Sequence, residues 1–189
     1  MFFRDYSWTS SLGFGLGGGT LHLQWRVLHG AIASNTFISV LNPAVSNTCP
    51  FCGLRETVFH IFTECPRLTV FFSLLTLVFS LLNVFFSEKV FIFGAGYKKS
   101  NIFKWQLVNY LLGDAKMAVY ISRRNKVEGR AGHEAPPVFL CNARARVWLE
   151  YTFYKAFGDV DAFKQRPCYN NIICFVENDE LHFAQDFVG

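Results

Sequence analysis

Residues 49–65 read Cys49-Pro50-Phe51-Cys52-Gly53-Leu54-Arg55-Glu56-Thr57-Val58-Phe59-His60-Ile61-Phe62-Thr63-Glu64-Cys65. Three thiols and one imidazole fall in a C-x2-C-x7-H-x4-C array, an order that can close a tetrahedral shell around Zn²⁺. Pro50-Phe51 between the first two cysteines suits a tight turn that presents both sulfurs to one ion. Gly53 follows, where such a turn needs backbone freedom. Glu56 to Glu64 reads as a short helix, and Pro66 bars its continuation beyond Cys65. His60 then faces the knuckle from the helix, and Cys65 closes the site from its end. The predicted ligands are therefore Cys49, Cys52, His60 and Cys65, around one structural Zn²⁺. Four ligands leave no open position for the water that a catalytic zinc keeps. A redox CxxC pair, or cysteines with no common role, are the competing readings. A CxxC alone is a weak signal, and the ordered His and third Cys are what favour metal.

The words around the ligands add a resemblance. Trp25-Arg26-Val27-Leu28-His29-Gly30 and Leu41-Asn42-Pro43 lead into Cys49-Pro50-Phe51-Cys52-Gly53, and Glu56-Thr57-Val58-Phe59-His60 and Glu64-Cys65-Pro66 follow. Together they resemble the zinc-binding segment that lies after the reverse transcriptase domain in LINE-type non-LTR retrotransposons. Leu111-Leu112-Gly113-Asp114-Ala115-Lys116-Met117-Ala118-Val119-Tyr120-Ile121-Ser122-Arg123-Arg124-Asn125-Lys126 resembles the downstream C-terminal region of the same polyproteins. The likeness covers roughly residues 21–184. It implies assistance in binding the element's RNA and its target DNA. Residues 1–19 depart from the pattern, no Tyr-x-Asp-Asp-like pair appears, and there is no room for a polymerase palm or an apurinic-type endonuclease. The chain is therefore expected to be a C-terminal remnant that is not an enzyme by itself.

Composition bounds the rest. A chain of 189 residues suits one domain, or a zinc subdomain with a larger helical part. Hydrophobic residues make up 51% and 22 residues are Phe, which is ample for a core and far from a disordered composition. Six cysteines are too sparse for a disulfide scaffold. The array leaves Cys141, Cys168 and Cys174. Cys168 and Cys174 could pair, but a reduced, intracellular setting suits a thiolate site better. The start Met1-Phe2-Phe3-Arg4-Asp5-Tyr6 lacks the charged flank and long apolar run of a signal peptide.

The net charge of +4 is unevenly spread. Residues 1–94 are about neutral, residues 95–170 carry a net +7, and residues 171–189 a net −4. A basic segment followed by an acidic tail points to an anionic partner, or to pairing between the two. The candidate nucleic-acid contacts are Lys98, Lys99, Arg123, Arg124, Lys126, Arg144 and Arg146. Arg123, Arg124 and Lys126 lie in the last turns of a helix, where cations also simply complement its dipole. Trp148, Tyr151, Phe153 and Tyr154 lie among basic residues and could stack bases, though aromatics at helical spacing more often fill a core.

The expected fold is mainly α: a helical domain with a CCHC zinc knuckle and a small C-terminal β-hairpin. The expected divisions are a flexible lead over residues 1–19, helices and knuckle over 20–68, and a helical C-terminal region over 69–189. The lead contains Gly13-Phe14-Gly15-Leu16-Gly17-Gly18, a GxGxxG match with no preceding strand and no acidic residue about 20 positions on, so dinucleotide binding is not expected. Helices are predicted over Leu21–Ala33, Thr36–Leu41, Phe103–Val127 and Val138–Phe157, with Glu128–Pro137 as a linker. Val90–Gly94 reads as a strand or loop. Ile172–Val176 and Leu181–Ala184 read as a hairpin around a four-residue loop, Glu177 to Glu180.

Val70 to Phe86 is the most apolar run. As a helix its seventeen residues would span about 26 Å, short of the roughly 30 Å hydrocarbon core. Ser73, Thr76, Ser80, Asn83 and Ser87 fall within an arc of about 80°. That stripe favours a packed helix with one wet edge over a membrane span, and leaves open an interface for a protein partner. His22, His29, His133 and His182 have no evident second ligand or nucleophile. The function expected is nucleic-acid binding, RNA or DNA. The alternatives are a protein-interaction module with an exposed apolar face, or a remnant without function.

Overall fold

The computed structural model describes residues 18–95 and 101–187. Residues 1–17, with most of the expected lead and all but the last residue of its GxGxxG match, lie outside them, as do Lys98 and Lys99.

The chain builds around one long helix. Helices α1 (Gly18–Leu28) and α2 (Asn35–Leu41) precede the knuckle, and α3 (Thr69–Leu81) and α4 (Glu88–Phe93) follow it. Helix α5 (Ile102–Val127) runs through the centre, α6 (Ala135–Ala156) returns along it, and α7 (Val160–Gln165) leads to strands β1 (Cys174–Glu177) and β2 (Glu180–Phe183). From Leu107 to Val119, α5 is buried on nearly every side: Leu107, Val108, Leu111, Leu112, Ala115, Ala118 and Val119 all lie in the core. A single apolar stripe would be too narrow for that position. A helix packed by α1 on one flank and α6 on another needs apolar residues around most of its circumference.

Four phenylalanines form one aromatic cluster around α3 and α4. The ring centroids of Phe72 and Phe91 are 5.3 Å apart, those of Phe79 and Phe86 5.6 Å, and those of Phe86 and Phe91 6.1 Å. These are separations at which edge-to-face and offset pairs are favourable. Phe71 meets Phe139 of α6 at 5.7 Å and so joins the two helices.

Several boundaries differ from the expected ones, each for a local reason. The apolar helix stops at Leu81 rather than Phe86. Asn83 takes a left-handed conformation (φ 51°), and the N–H groups of Asn83 and Val84 donate to the carbonyls of Ser80 and Phe79. That is a Schellman stop, which Asn tolerates better than most residues. Val90–Gly94, expected as strand or loop, belongs to α4. Ser87 Oγ accepts from Val90 N–H at its start, and Gly94 ends it. Six residues are too short for periodicity to separate helix from strand, and the cap decides. Pro136 and Pro137, read as linker, occupy the first turn of α6, where a missing N–H costs nothing. The hairpin turn has two residues, not four, because Glu177 pairs with Glu180. Asn178 (φ 49°) and Asp179 (φ 62°) supply the two left-handed residues of a type I′ turn. Tyr151 Oη donates to the Asp179 carbonyl at 2.7 Å and pins the hairpin to α6.

The polar stripe of α3 behaves as expected: Ser73, Thr76 and Ser80 are exposed while Phe71, Leu75, Val78 and Phe79 are buried. Among the described residues no helix is long and apolar enough to cross a membrane. Val70, Leu77, Leu81 and Phe85 are nevertheless exposed, Phe85 by 85%.

Helix α1 is held on α5 by a buried lysine. The Lys116 ammonium donates to Gln24 Oε1, Gln24 Nε2 donates to the Ile92 carbonyl, and the ammonium sits 5.8 Å from the Phe91 ring centre. Burial pulls the Lys116 pKa down to about 7. A folded pKa below the unfolded 10.5 means that this group's contribution is fully present above pH 10.5 and is lost as pH falls through about 7. The Lys116→Met variant should therefore lose stability less than the parent chain as pH is lowered over that window. Urea midpoints at pH 10 and pH 7 check this, and parallel pH profiles would contradict it.

Candidate metal centre

The first half of the centre is a knuckle. Cys49 N–H donates to the Leu54 carbonyl at 2.7 Å, and Gly53 N–H to the Cys49 carbonyl at 3.0 Å. Thr48 and Arg55 pair as an antiparallel bridge. Gly53 has φ +75°, so a side chain there would be strained. This turn aims Cys49 and Cys52 at one point.

The second half is a helical segment with a widened turn. Thr57 caps it, its Oγ1 accepting from His60 N–H at 3.0 Å. From His60 to Glu64 the helix opens into a π turn, closed by Cys65 N–H on the His60 carbonyl at 3.0 Å. Single π turns are frequent at functional sites. Here the five-residue repeat matches the His60–Cys65 spacing and brings both side chains to the same side. Pro66 then starts a 3-10 turn, so the helix ends where its proline predicted.

All four donor atoms lie within 4.8 Å of one another. Cys49 and Cys65 sulfurs are 3.8 Å apart, Cys65 and Cys52 sulfurs 3.9 Å, and Cys52 Sγ is 3.2 Å from His60 Nε2. Two sulfurs each about 2.3 Å from a tetrahedral ion stand roughly 3.8 Å apart. The donor set therefore fits one tetrahedral cation. Cys49, His60 and Cys65 are buried. Burial, with the neighbouring Cys49 and Cys52, pushes the Cys65 thiol up to about 12. A bound cation reverses that balance, because a coordinating thiol is deprotonated outright.

A second ring of residues, unread in the sequence, locks the centre to α5. The Glu56 side chain is wholly buried and receives Arg123 Nε at 3.0 Å on one oxygen and a second Arg123 nitrogen on the other. Asn35 N–H also donates to Glu56 at 2.7 Å, and Asn35 Nδ2 donates to the Thr48 carbonyl at 2.7 Å. Arg67 lies over the Phe51 ring at 3.9 Å, donates to Ser122 Oγ, and reaches the Val119 carbonyl at 3.2 Å. Burial lowers the Arg67 pKa and the nearby Cys65 and Cys49 oppose this, so the guanidinium sits where thiolate charge would collect. The available signal was the placement of Glu56 within the ligand span and of Arg67 just beyond it; nothing local named their partners.

The proposed nucleic-acid contacts separate into groups. Arg123 is a correction: it is buried against Glu56 and presents no surface cation. Arg146 is partly buried. It is committed to Asp114 of α5 and lies over the Tyr110 ring at 4.6 Å. Asp114 is pushed up to about 6 by burial, with Arg146 opposing the shift. Arg124 and Lys126 are exposed at the end of α5. Arg144 is exposed on α6, 5.5 Å over the Phe183 ring. Of the four aromatics, Tyr151 is buried, while Trp148 and Phe153 are more than half exposed, at 58% and 59%.

No protein-family model matches the chain, and no solved structure matches it. It is similar to the "Transposon TX1 uncharacterized 149 kDa protein" of Xenopus laevis, at 32% identity over 157 residues, which cover 83% of this chain and 12% of that protein. The chain thus spans about an eighth of the curated relative that it matches. Over most of its length it is related to a transposon protein, and it carries a Cys3His cluster that can hold a metal ion.

Proposed function

We propose that the chain is a zinc-stabilised, nucleic-acid-binding segment derived from a retrotransposon polyprotein, corresponding to the zinc-binding and C-terminal region that follows a LINE-type reverse transcriptase, and non-catalytic by itself. Zinc is the ion of choice because a closed set of three thiolates and one imidazole is a structural zinc site. The ion, when bound, cross-links the knuckle to the π turn. The chain's own residues supply the rest.

One observation carries the binding role. Lys126 Nζ lies 6.0 Å from the centre of the Phe51 ring, and Phe51 sits between the two knuckle cysteines. Lys126 therefore stands beside the knuckle, and Arg124 is exposed two residues earlier at the same end of α5. Cations so placed meet phosphates, so binding should show little sequence preference. Filter binding of single-stranded RNA and single-stranded DNA across a salt series tests this. Each phosphate contact adds about 0.7 to the salt slope for a single strand. Replacing Arg124 and Lys126 together by Ala should then weaken affinity and flatten the slope by roughly 1.4. An unaltered slope would show that these cations only complement a helix end.

A second reading rests on α3. Val70, Leu77 and Leu81, with Phe85 beyond it, expose apolar side chains, and contiguous apolar surface marks partner sites. Salt-independent association with a protein, and none with nucleic acid, would favour that reading.

A further inference from the structure

Cys168 and Cys174 take no part in the metal centre, yet the fold brings their sulfurs to 3.5 Å. Two consecutive left-handed residues, Asn170 (φ 53°) and Asn171 (φ 56°), fold the chain between α7 and β1 back on itself. That reversal sets a thiol three residues beyond α7 against a thiol at the start of β1. Cys174 is wholly buried. Cys168 is 6% exposed and helps to line a hollow of about 330 Å³, together with Lys164, Asn171, Phe175, Val176 and Glu177. The hollow has room for a small polar molecule beside Cys168, and Lys164 also lines it.

We infer that Cys168 is a peroxide-reactive thiol and Cys174 its resolving partner, so that the pair forms an oxidation site for small hydroperoxides. The two sulfurs are not equivalent. The contact with Cys174, together with Lys164, holds the Cys168 pKa below its usual value, while the same contact and burial push Cys174 up. The reactive form is the thiolate, which such surroundings favour. The Cys168 thiolate attacks one peroxide oxygen. The O–O bond breaks, the leaving hydroxide or alkoxide takes a proton from water or from the Lys164 ammonium, and Cys168 becomes a sulfenic acid. Cys174 then attacks the Cys168 sulfur. An S–S bond forms, the S–O bond breaks, and the departing hydroxide takes the Cys174 proton as water. The dithiol gives two electrons and the peroxide receives them. The disulfide would tie the segment that follows α7 to the hairpin, and thiol reductants would reverse it.

The zinc-loaded full chain is treated with hydrogen peroxide, quenched with an alkylating reagent at intervals, and each cysteine is quantified by peptide mass spectrometry. Cys141, which is exposed, serves as the internal reference. A peptide joining Cys168 to Cys174 should appear at least about tenfold faster than oxidation of Cys141, as thiolate character outweighs exposure. In the Cys174→Ala variant the sulfenic acid at Cys168 should persist and be trapped by dimedone, and Lys164→Met should slow its formation. Oxidation of Cys168 no faster than that of Cys141 in the parent chain would overturn the assignment. That kinetic comparison needs no variant, so poor folding of Cys174→Ala would leave it decisive.

Discussion

Stripping the metal from the purified chain is expected to unfold the knuckle and the π turn and to loosen their attachment to α5. Metal analysis before stripping should find about one zinc per chain. The effect should be large, because structural zinc contributes an apparent 10–16 kcal/mol or so to small sites at neutral pH. It should spread beyond the four ligands. Cys49 and Cys65 belong to the same hydrophobic core as Phe62, Leu68 and Phe71, and without a cation that core must hold an uncrosslinked cluster of buried polar groups. Circular dichroism and a urea titration with and without chelator measure it. Cys65→Ser should behave like the stripped protein. His60→Cys should retain metal and much of the stability, since four thiolates also make a closed zinc site. A preparation that lacks metal and keeps an unchanged spectrum and midpoint in chelator would count against the site.

The second large effect is expected at Arg123. Replacing it with Ala leaves the Glu56 carboxylate buried without its cation. Removing one partner of a buried pair typically costs about 3–5 kcal/mol. Arg124, the next residue, is exposed, and its replacement by Ala should stay within about 0.5 kcal/mol. The contrast between neighbours on one helix is the informative measurement, because helix propensity is the same for both. Removing Glu56 and Arg123 together should cost less than the sum of the single changes, as expected when two groups act only through each other. Equal losses at Arg123 and Arg124 would contradict the buried pairing. The same contrast governs the binding experiment. A charge removal that includes Arg123 would confuse lost folding with lost phosphate contact, so Arg124 and Lys126 are the residues to change.

Legibility followed the range of the interaction. The α5 helix was readable over 25 residues because a long segment accumulates propensity and ends on Gly129, a left-handed stop. The hairpin was readable as a hairpin, yet its turn was overestimated, since only the pairing of Glu177 with Glu180 shows that Asn178 and Asp179 alone make the bend. Helix α4 was missed because its decisive feature, Ser87 Oγ on Val90 N–H, is a single hydrogen bond in an apolar stretch that alternates in neither period. Helix α7 was unread for the same reason: Asp159 caps it through one bond to Ala162 N–H. The apolar run from Val70 reads as unbroken to Phe86, whereas the helix stops at Leu81, because the Schellman stop at Asn83 is a local conformation that composition does not announce.

The amino-acid sequence by itself determined the Cys3His cluster that can hold a metal ion, the break at Pro66 and the predominance of helix. All of these depend on residues within a few turns of one another, where chain stereochemistry leaves few options. Tertiary structure alone decided what each cation is for. Arg123 and Arg124 are indistinguishable as letters in a basic helix end. The helix turns by about 100° between them, which sends one guanidinium to a carboxylate 67 residues away and leaves the other in solvent. Burying a charge is tolerable only beside its partner, and that partner is chosen by the packing of the knuckle on α5, which no local spacing records.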